Sequence, residues 1–183
     1  MRRTLAVTAR RSSGGAPRAP RQAGGALERF VEFEVAGHRL AVSVTFLREV
    51  VEPGAWPAGE EGECFAILHQ GTQIAALNLR VAFGWPAVAA AQRMRVLVGE
   101  AGGHRFGLAV DAVREIVEVG IETVLPIPAG VSHLPAACFR GIWARANRVV
   151  LALDAGGLTA LGCWDRCGET ATARSSGPAR ETP

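Results

Sequence analysis

The 183-residue chain is 49% hydrophobic and carries 20 cationic side chains, all arginine, against 17 acids, for a net charge of +3, with four cysteines and neither lysine nor tyrosine. That is the size and composition of one globular unit able to bury a core, and the missing residue types exclude a phosphate-loop lysine, a Schiff-base lysine and a tyrosine acid. Residues 1–26 hold six arginines and no acid, 27–162 eleven arginines and fourteen acids, and 163–183 three of each. The basic tail is rich in Gly and Pro and poor in large apolar groups, so 1–26 is expected to be disordered, 163–183 flexible, and 27–162 folded. Its arginines lack interleaved aromatics, so nucleic acid is not an expected partner. The longest apolar run, 81–91, is broken by Gly84 and Pro86 and falls short of the roughly 18 residues that span a bilayer, so no membrane insertion is expected. Leu5-Ala6-Val7 is too short for the apolar core of an export signal, which makes the cytoplasm the expected compartment.

Between the tails the segments are short and β-rich. Val31, Phe33 and Val35 alternate with Glu32 and Glu34, Ala36-Gly37-His38 turns the chain, and Leu40, Val42 and Val44 alternate again, a hairpin with one buried face. Residues 45–51, stopped by Pro53, read as a short helix. Strands are expected over 64–68 and 73–79, and a helix over 79–83 ends at Gly84. Met94, Val96 and Val98, the turn Gly102-Gly103, then Phe106, Leu108 and Val110 repeat the hairpin device. A second short helix is expected over 112–117, followed by strands over 139–143 and 148–153.

An internal repeat organises these elements. At an ungapped offset of 66, residues 38–52 lie over residues 104–118 with seven of fifteen positions identical: His38, Arg39, Val44, Arg48, Glu49, Val51 and Glu52 recur as His104, Arg105, Val110, Arg114, Glu115, Val117 and Glu118. Ala76-Leu77-Asn78 echoes as Ala152-Leu153-Asp154. Two related β subdomains follow, each too small to bury much alone, so they are expected to share apolar surface and fold as one unit. Closing each short sheet would dispose of its free edges.

The repeat and the residues within it resemble the CheW family of chemotaxis coupling proteins. The resemblance is carried by Val31 to Val35 with Arg39 to Val51, by Gly71 to Arg80 with Phe83-Gly84, by Phe106 to Val113, and by Gly141 with Asn147 to Asp154, covering roughly residues 30 to 161. It implies a mainly β fold of two intertwined five-stranded β-barrel subdomains with few short helices. It also implies a non-catalytic adaptor that joins receptor tips to a CheA-type histidine kinase. A kinase-docking patch would by position include Val31, Val44, Leu47 and Val50. On the receptor face this chain departs from the family: the usual Asn-Leu-Arg-Gly turn reads Leu68-His69-Gln70-Gly71, a glycine is replaced by Phe65, and the hairpin proline is Ala75. Gln70 keeps a donor but lacks the charge and fork of arginine. Phe65, Gln70 and Gly71 are therefore the expected receptor-facing positions, with a receptor or receptor-like tip as partner. The altered turn also leaves room for a divergent adaptor in a non-flagellar chemosensory pathway.

Residues for chemistry are few. There is no nucleophile elbow, phosphate loop, dinucleotide fingerprint or His-Glu-x-x-His zinc motif, so no enzyme and no cofactor are expected. Asp111 and Asp154, at strand ends, are placed to cap turns, and His38 and His104 recur at hairpin turns. Cys64, Cys138, Cys163 and Cys167 lack the paired spacing of structural zinc sites and read as free thiols, so no metal is expected. Cys163-x3-Cys167 leaves a thiol- or metal-sensing protein as the reading from another class, and Cys64 with His69 leaves a nucleophile and base pair as the catalytic one.

Overall fold

The computed structural model describes residues 25–52, 62–86, 94–128, 130 and 132–161. Apart from Gly25 and Ala26, both expected tails lie outside these residues. Ten strands fill the described span: β1 Leu27–Val35, β2 His38–Ser43, β3 Leu47–Val51, β4 Cys64–His69, β5 Thr72–Asn78, β6 Arg95–Ala101, β7 His104–Val110, β8 Ala112–Gly120, β9 Phe139–Arg145 and β10 Arg148–Leu153. Two short helices accompany them, α1 Leu79–Ala82 and α2 Ala155–Thr159. Four hairpins turn on two residues each, Ala36-Gly37, Gln70-Gly71, Gly102-Gly103 and Ala146-Asn147, with positive φ at both positions. That turn geometry matches the right-handed twist of the strands it joins.

The strands form two sheets, ordered β8-β1-β2-β10-β9 and β3-β6-β7-β5-β4. Each order maps on the other when β1 to β5 are exchanged with β6 to β10, as the sequence repeat requires. Every sheet therefore takes its central hairpin from one half of the chain and three strands from the other. The halves meet through antiparallel β1–β8 and β3–β6 and through parallel β2–β10 and β5–β7. The intertwining implied by the resemblance is this strand exchange.

Two expected helices are strands. Residues 45–51 contain a turn closed by Phe46 N–H to Ser43 C=O (3.0 Å) and Leu47 N–H to Val44 C=O (3.1 Å), and then β3. Residues 112–117 belong to β8. Both segments are rich in β-branched residues, and each finds an unpaired strand of the other half to bond with, so ladder formation overrides a short and weak helical pattern. The repeat held even here, since equivalent segments have equivalent structures. The helix expected at 79–83 is present as α1, where Asn78 Oδ1 caps Arg80 N–H at 3.2 Å. Asp154 occupies the same place before α2 and accepts from Gly157 N–H at 2.8 Å, which explains the recurring Ala-Leu-Asn/Asp.

The sheets share a central apolar layer built from Phe33, Leu40 and Val42 of one and Leu77, Leu97, Phe106 and Leu108 of the other, sealed by Leu79 and Leu158 of the helices. Each sheet also has an apolar cluster of its own, around Phe30, Trp143 and Val150 in one and around Phe65, Ile74 and Val98 in the other. The expected barrels are not closed. Ladders end at β8 and β9 in one sheet and at β3 and β4 in the other, with no pairing across these ends among the described residues. Instead the edge strands approach until side chains span the seam: Glu49 Oε2 of β3 lies 3.0 Å from His69 Nε2 of β4, and Glu115 Oε2 of β8 lies 3.3 Å from Arg145 Nη2 of β9. Exposed edge backbone is protected by other means, namely a bulge in the β3 ladder between Leu47 and Glu49 and a Leu125–Ile142 bridge laid on β9.

Asp111, between β7 and β8, caps a turn as expected, but the turn is that of the other half, so it ties the exchanged parts together. Its carboxylate accepts from Ala36 N–H (2.7 Å) in the β1–β2 turn and from Arg80 Nε (3.0 Å) and Nη2 (2.5 Å) of α1, and its own N–H donates to Glu34 C=O at 2.8 Å. Replacing Asp111 by Ala strands a half-buried guanidinium and a turn amide. The expected cost is about 2–3 kcal/mol of unfolding free energy in a urea titration, the range for hydrogen bonds to charged groups; a cost within a few tenths would remove Asp111 from this role.

Candidate functional site

The seam of the sheet β3-β6-β7-β5-β4 gathers the positions singled out from sequence near the β4–β5 turn. Gln70 and Gly71 form that turn, with φ of 49° and 77°. Gln70 Nε2 donates to Glu49 Oε2 at 3.4 Å, and the same oxygen lies 3.0 Å from His69 Nε2. The imidazole is buried, 7% exposed, and its Nε2 approaches Glu49 without forming an aligned hydrogen bond. The Glu49 carboxylate is about half exposed at 48%. Leu68 and Val50, one place along from His69 and Glu49 and so on the opposite face of their strands, are 75% and 37% exposed. The seam thus carries a half-exposed carboxylate with weak internal partners on one face and exposed aliphatic groups on the other, a mixture suited to protein docking.

The second seam shows what is particular about the first. Arg145 and His69 hold equivalent places two residues before the second turn position, and Glu115 is the repeat partner of Glu49. Arg145 reaches both Glu115 (3.3 Å) and the buried Glu32 (3.4 Å), so that seam is closed by a permanent cation. In the first seam an imidazole and an amide stand against the carboxylate, and its charge is not neutralised by a permanent cation. The recurrence of Glu49 and Glu115 therefore has a structural cause, the bridging of sheet edges, on strands rather than on the helices expected from sequence.

The other expected positions are distributed. Leu47 and Val50 share β3, Val44 lies in the turn before it, and Val31 sits on β1 of the other sheet, opposite Val42 and Ile116. Val31 is 2% exposed, whereas Val44 and Leu47 are half-buried, Leu47 against the central layer. Phe65 is 2% exposed near the start of β4, inside the cluster of its sheet and at the far end of the strand from the Gln70 turn. Sequence reading passed over Trp85, which stacks on His38 (centroids 4.4 Å apart) and on Phe83 (4.5 Å). Its signal was the Phe-Gly-Trp-Pro that follows α1.

Geometry also decides the cysteine readings. Cys64 and His69 are at opposite ends of β4, about 16 Å apart at strand rise, which excludes a nucleophile and base pair. Cys163 and Cys167 lie outside the described residues. Among those described, no three His, Cys, Asp or Glu side chains converge on a metal-sized site. Cys138 is 1% exposed with its Sγ 3.7 Å from Gly157 C=O; burial, and then the Asp154 carboxylate, raise its pKa above the ordinary thiol value. The neutral thiol is the form that folding favours, so this contribution is complete at neutral pH and is lost as pH climbs past about 8.5, where the unfolded chain ionises first. Iodoacetamide at about pH 8 should leave Cys138 unmodified in the native protein and label it on unfolding, read by mass spectrometry of peptides; native labelling of Cys138 as fast as that of the unfolded chain would contradict its enclosure.

Comparison with known proteins agrees with this architecture. A family model described as the CheW-like domain matches residues 29–161. No curated protein matches the chain. Among solved structures, the scaffolding protein TtCheW from Thermoanaerobacter tengcongensis superposes with a TM-score of 0.62 at 21% sequence identity, covering 77% of this chain and 93% of that one. At that identity the likeness is one of fold.

Proposed function

This chain belongs to the CheW-like domain family, and we propose from that premise that it acts as a non-catalytic chemotaxis adaptor, coupling chemoreceptors to a CheA-type histidine kinase. The observation that carries the reading is the match of the family over nearly all of the described chain, supported by two strand-exchanged sheets that share the fold of a CheW scaffolding protein. In this reading the kinase regulatory domain docks on apolar residues about β3, with Leu47 and Val50 at the contact and Val31 and Val44 supporting it from the neighbouring hairpin. A methyl-accepting receptor tip, or a receptor-like one, meets the Gln70-Gly71 turn, with Phe65 holding its strand in place. The setting is cytoplasmic, and the described residues contain no helix long and apolar enough to cross a membrane.

Gln70 favours a second reading, an adaptor whose receptor has changed along with it and whose pathway is not flagellar. The turn presents the half-exposed Glu49 carboxylate where an arginine would have presented a positive fork. A receptor of the ordinary kind binds the Gln70→Arg variant more tightly than the native protein; a co-adapted receptor binds it more weakly.

Leu47 packs against the central layer, so a charge there disturbs core and surface together. Val50, 37% exposed on the edge strand, separates the two. Val50→Asp should weaken binding of the kinase regulatory domain by about tenfold or more, equivalent to roughly 1.4 kcal/mol, in isothermal titration, with an unchanged urea midpoint and unchanged receptor-tip binding. Native-like kinase affinity in the variant would move the kinase contact off β3, and failure of the native protein to bind either partner would overturn the adaptor reading itself.

A further inference from the structure

A half-open groove of about 740 Å³ lies between the β1–β2 turn, the β9–β10 hairpin and the end of α1. Its lining is apolar in the interior, with Ile142 and Leu151, and one wall is the His38–Trp85–Phe83 stack, in which neighbouring rings lie within 16° of parallel. Arg39 and Arg148 supply its charge, and no acid lines it among the described residues. Arg39 is partly committed, with Glu32 at 3.7 Å and Glu34 at 3.9 Å. The guanidinium of Arg148 has no hydrogen bond or ion pair with any described residue. Apolar surface continues past the concavity: Val149 is 63% exposed, and Leu125, bridged to Ile142 on edge strand β9, is 59% exposed.

The repeat shows that this lining is not a by-product of the framework. Counting from the shared helix caps Asn78 and Asp154, the places of Arg148, Val149 and Leu151 on β10 are held on β5 by Thr72, Gln73 and Ala75, and the place of Trp85 by Leu161. The backbone is common to both places, but only the groove in which the first half's His38, Phe83 and Trp85 meet the second half's β10 brings Arg148, aliphatic surface and stacked rings together. Such a concavity with a few convergent polar groups is the usual form of a binding site, and exposed Val149 in its lining with exposed Leu125 beside it extends the apolar surface toward solvent.

We propose that this groove docks an acidic amphipathic segment of a partner protein, its apolar face on Ile142, Val149 and Leu151 and a carboxylate on Arg148. The complementarity is direct: among the described residues a cation without a partner and a lining without an acid select against basic segments and favour acidic ones. The groove is separate from the Glu49 seam, so it gives the protein a further partner beyond those met at β3 and at the Gln70 turn, whichever proteins these are.

The test uses the full chain and two fluorescein-labelled helical peptides of about sixteen residues, four turns, with leucines on one face and either glutamates or lysines on the other. The acidic peptide should bind in fluorescence anisotropy, the basic one should not, and Val149→Asp and Arg148→Glu should each weaken the acidic peptide by roughly tenfold or more. Arg148→Glu should gain affinity for the basic peptide, while Leu68→Asp, at the other seam, should leave both titrations unchanged. Both groove positions are exposed, and an unaltered far-UV spectrum and urea midpoint establish that the variants are folded. The proposal is overturned if neither peptide binds up to about 1 mM, a binding energy near 4 kcal/mol, if the groove variants bind the acidic peptide as the native protein does, or if a small aromatic sulfonate occupies the groove and the acidic peptide does not. Binding of a kinase domain or receptor tip at the seam plays no part in the readout, so this outcome and that of the adaptor reading are independent.

Discussion

Four ladders between the two halves of the chain, β1 with β8, β2 with β10, β3 with β6 and β5 with β7, are the constraint on which the rest of the structure depends. A central hairpin from either half has nothing on its flanks until the other half supplies three strands. Two of these ladders are parallel, a pairing that requires a long connection and is made late in chain order. Apolar burial follows the same logic. The central layer draws on both sheets, so separating the halves would uncover Phe33, Leu40, Leu97 and Phe106 together, at a cost comparable to the whole net stability of a domain this size. Two quasi-identical pieces thereby become one cooperative unit, rigid enough to fix the distance between surfaces at its ends.

That rigidity is what an adaptor contributes in place of chemistry. The seams are where the framework is incomplete: edge strands meet through side chains and not through backbone ladders, leaving unpaired strand edges and aliphatic groups at the surface. In the seam closed by Arg145 the charge is fixed and internally satisfied by Glu115 and the buried Glu32. In the seam of His69 and Gln70 the Glu49 carboxylate keeps most of its capacity for an outside partner. The same fold position is thus structural in one copy and available in the other, and one residue per copy, arginine or histidine, makes the difference.

The groove beside Trp85 has a comparable origin. Gene-level symmetry gives both halves a hairpin, a capped short helix and a crossover, and Gly37, His38 and Arg39 recur as Gly103, His104 and Arg105, yet the residues that β10 and the helix end add to that space have diverged. Thr72, Gln73 and Ala75 make a small polar surface on β5, where Arg148, Val149 and Leu151 make an apolar and cationic one on β10. The stack of His38, Trp85 and Phe83 stiffens that side by aromatic packing worth more than its area alone. Divergence on a common backbone is how a repeat acquires distinct surfaces without new architecture.

Much of this was legible in the sequence, because it depends on local chemistry. Alternation of Val31, Phe33 and Val35 with acids marked the first hairpin, Ala36-Gly37 and Gly102-Gly103 marked two turns, the resemblance marked a third at Gln70-Gly71, and the 66-residue offset carried the symmetry together with the family resemblance. The helices expected at 45–51 and 112–117 failed for one reason in both places: a six- or seven-residue window carries too little periodicity to outweigh a ladder partner lying far along the chain, as Gly99 does from Leu47 and Ala112 from Glu34. Barrel closure could not be read either, since it turns on how far each sheet curls, and here side-chain pairs bridge the edges where backbone pairing stops. By itself the sequence determined eight of the ten strands, three of their turns, the capped helix α1 and the relatedness of the halves, all set by interactions within a few residues or by repetition. Only the tertiary structure decided that the strands exchange, that Glu49 meets His69 and Gln70 across an open seam, that Phe65 and Val31 are interior, and that Trp85 lines a cationic groove. Those facts are contacts between residues far apart in the chain, and no local pattern records them.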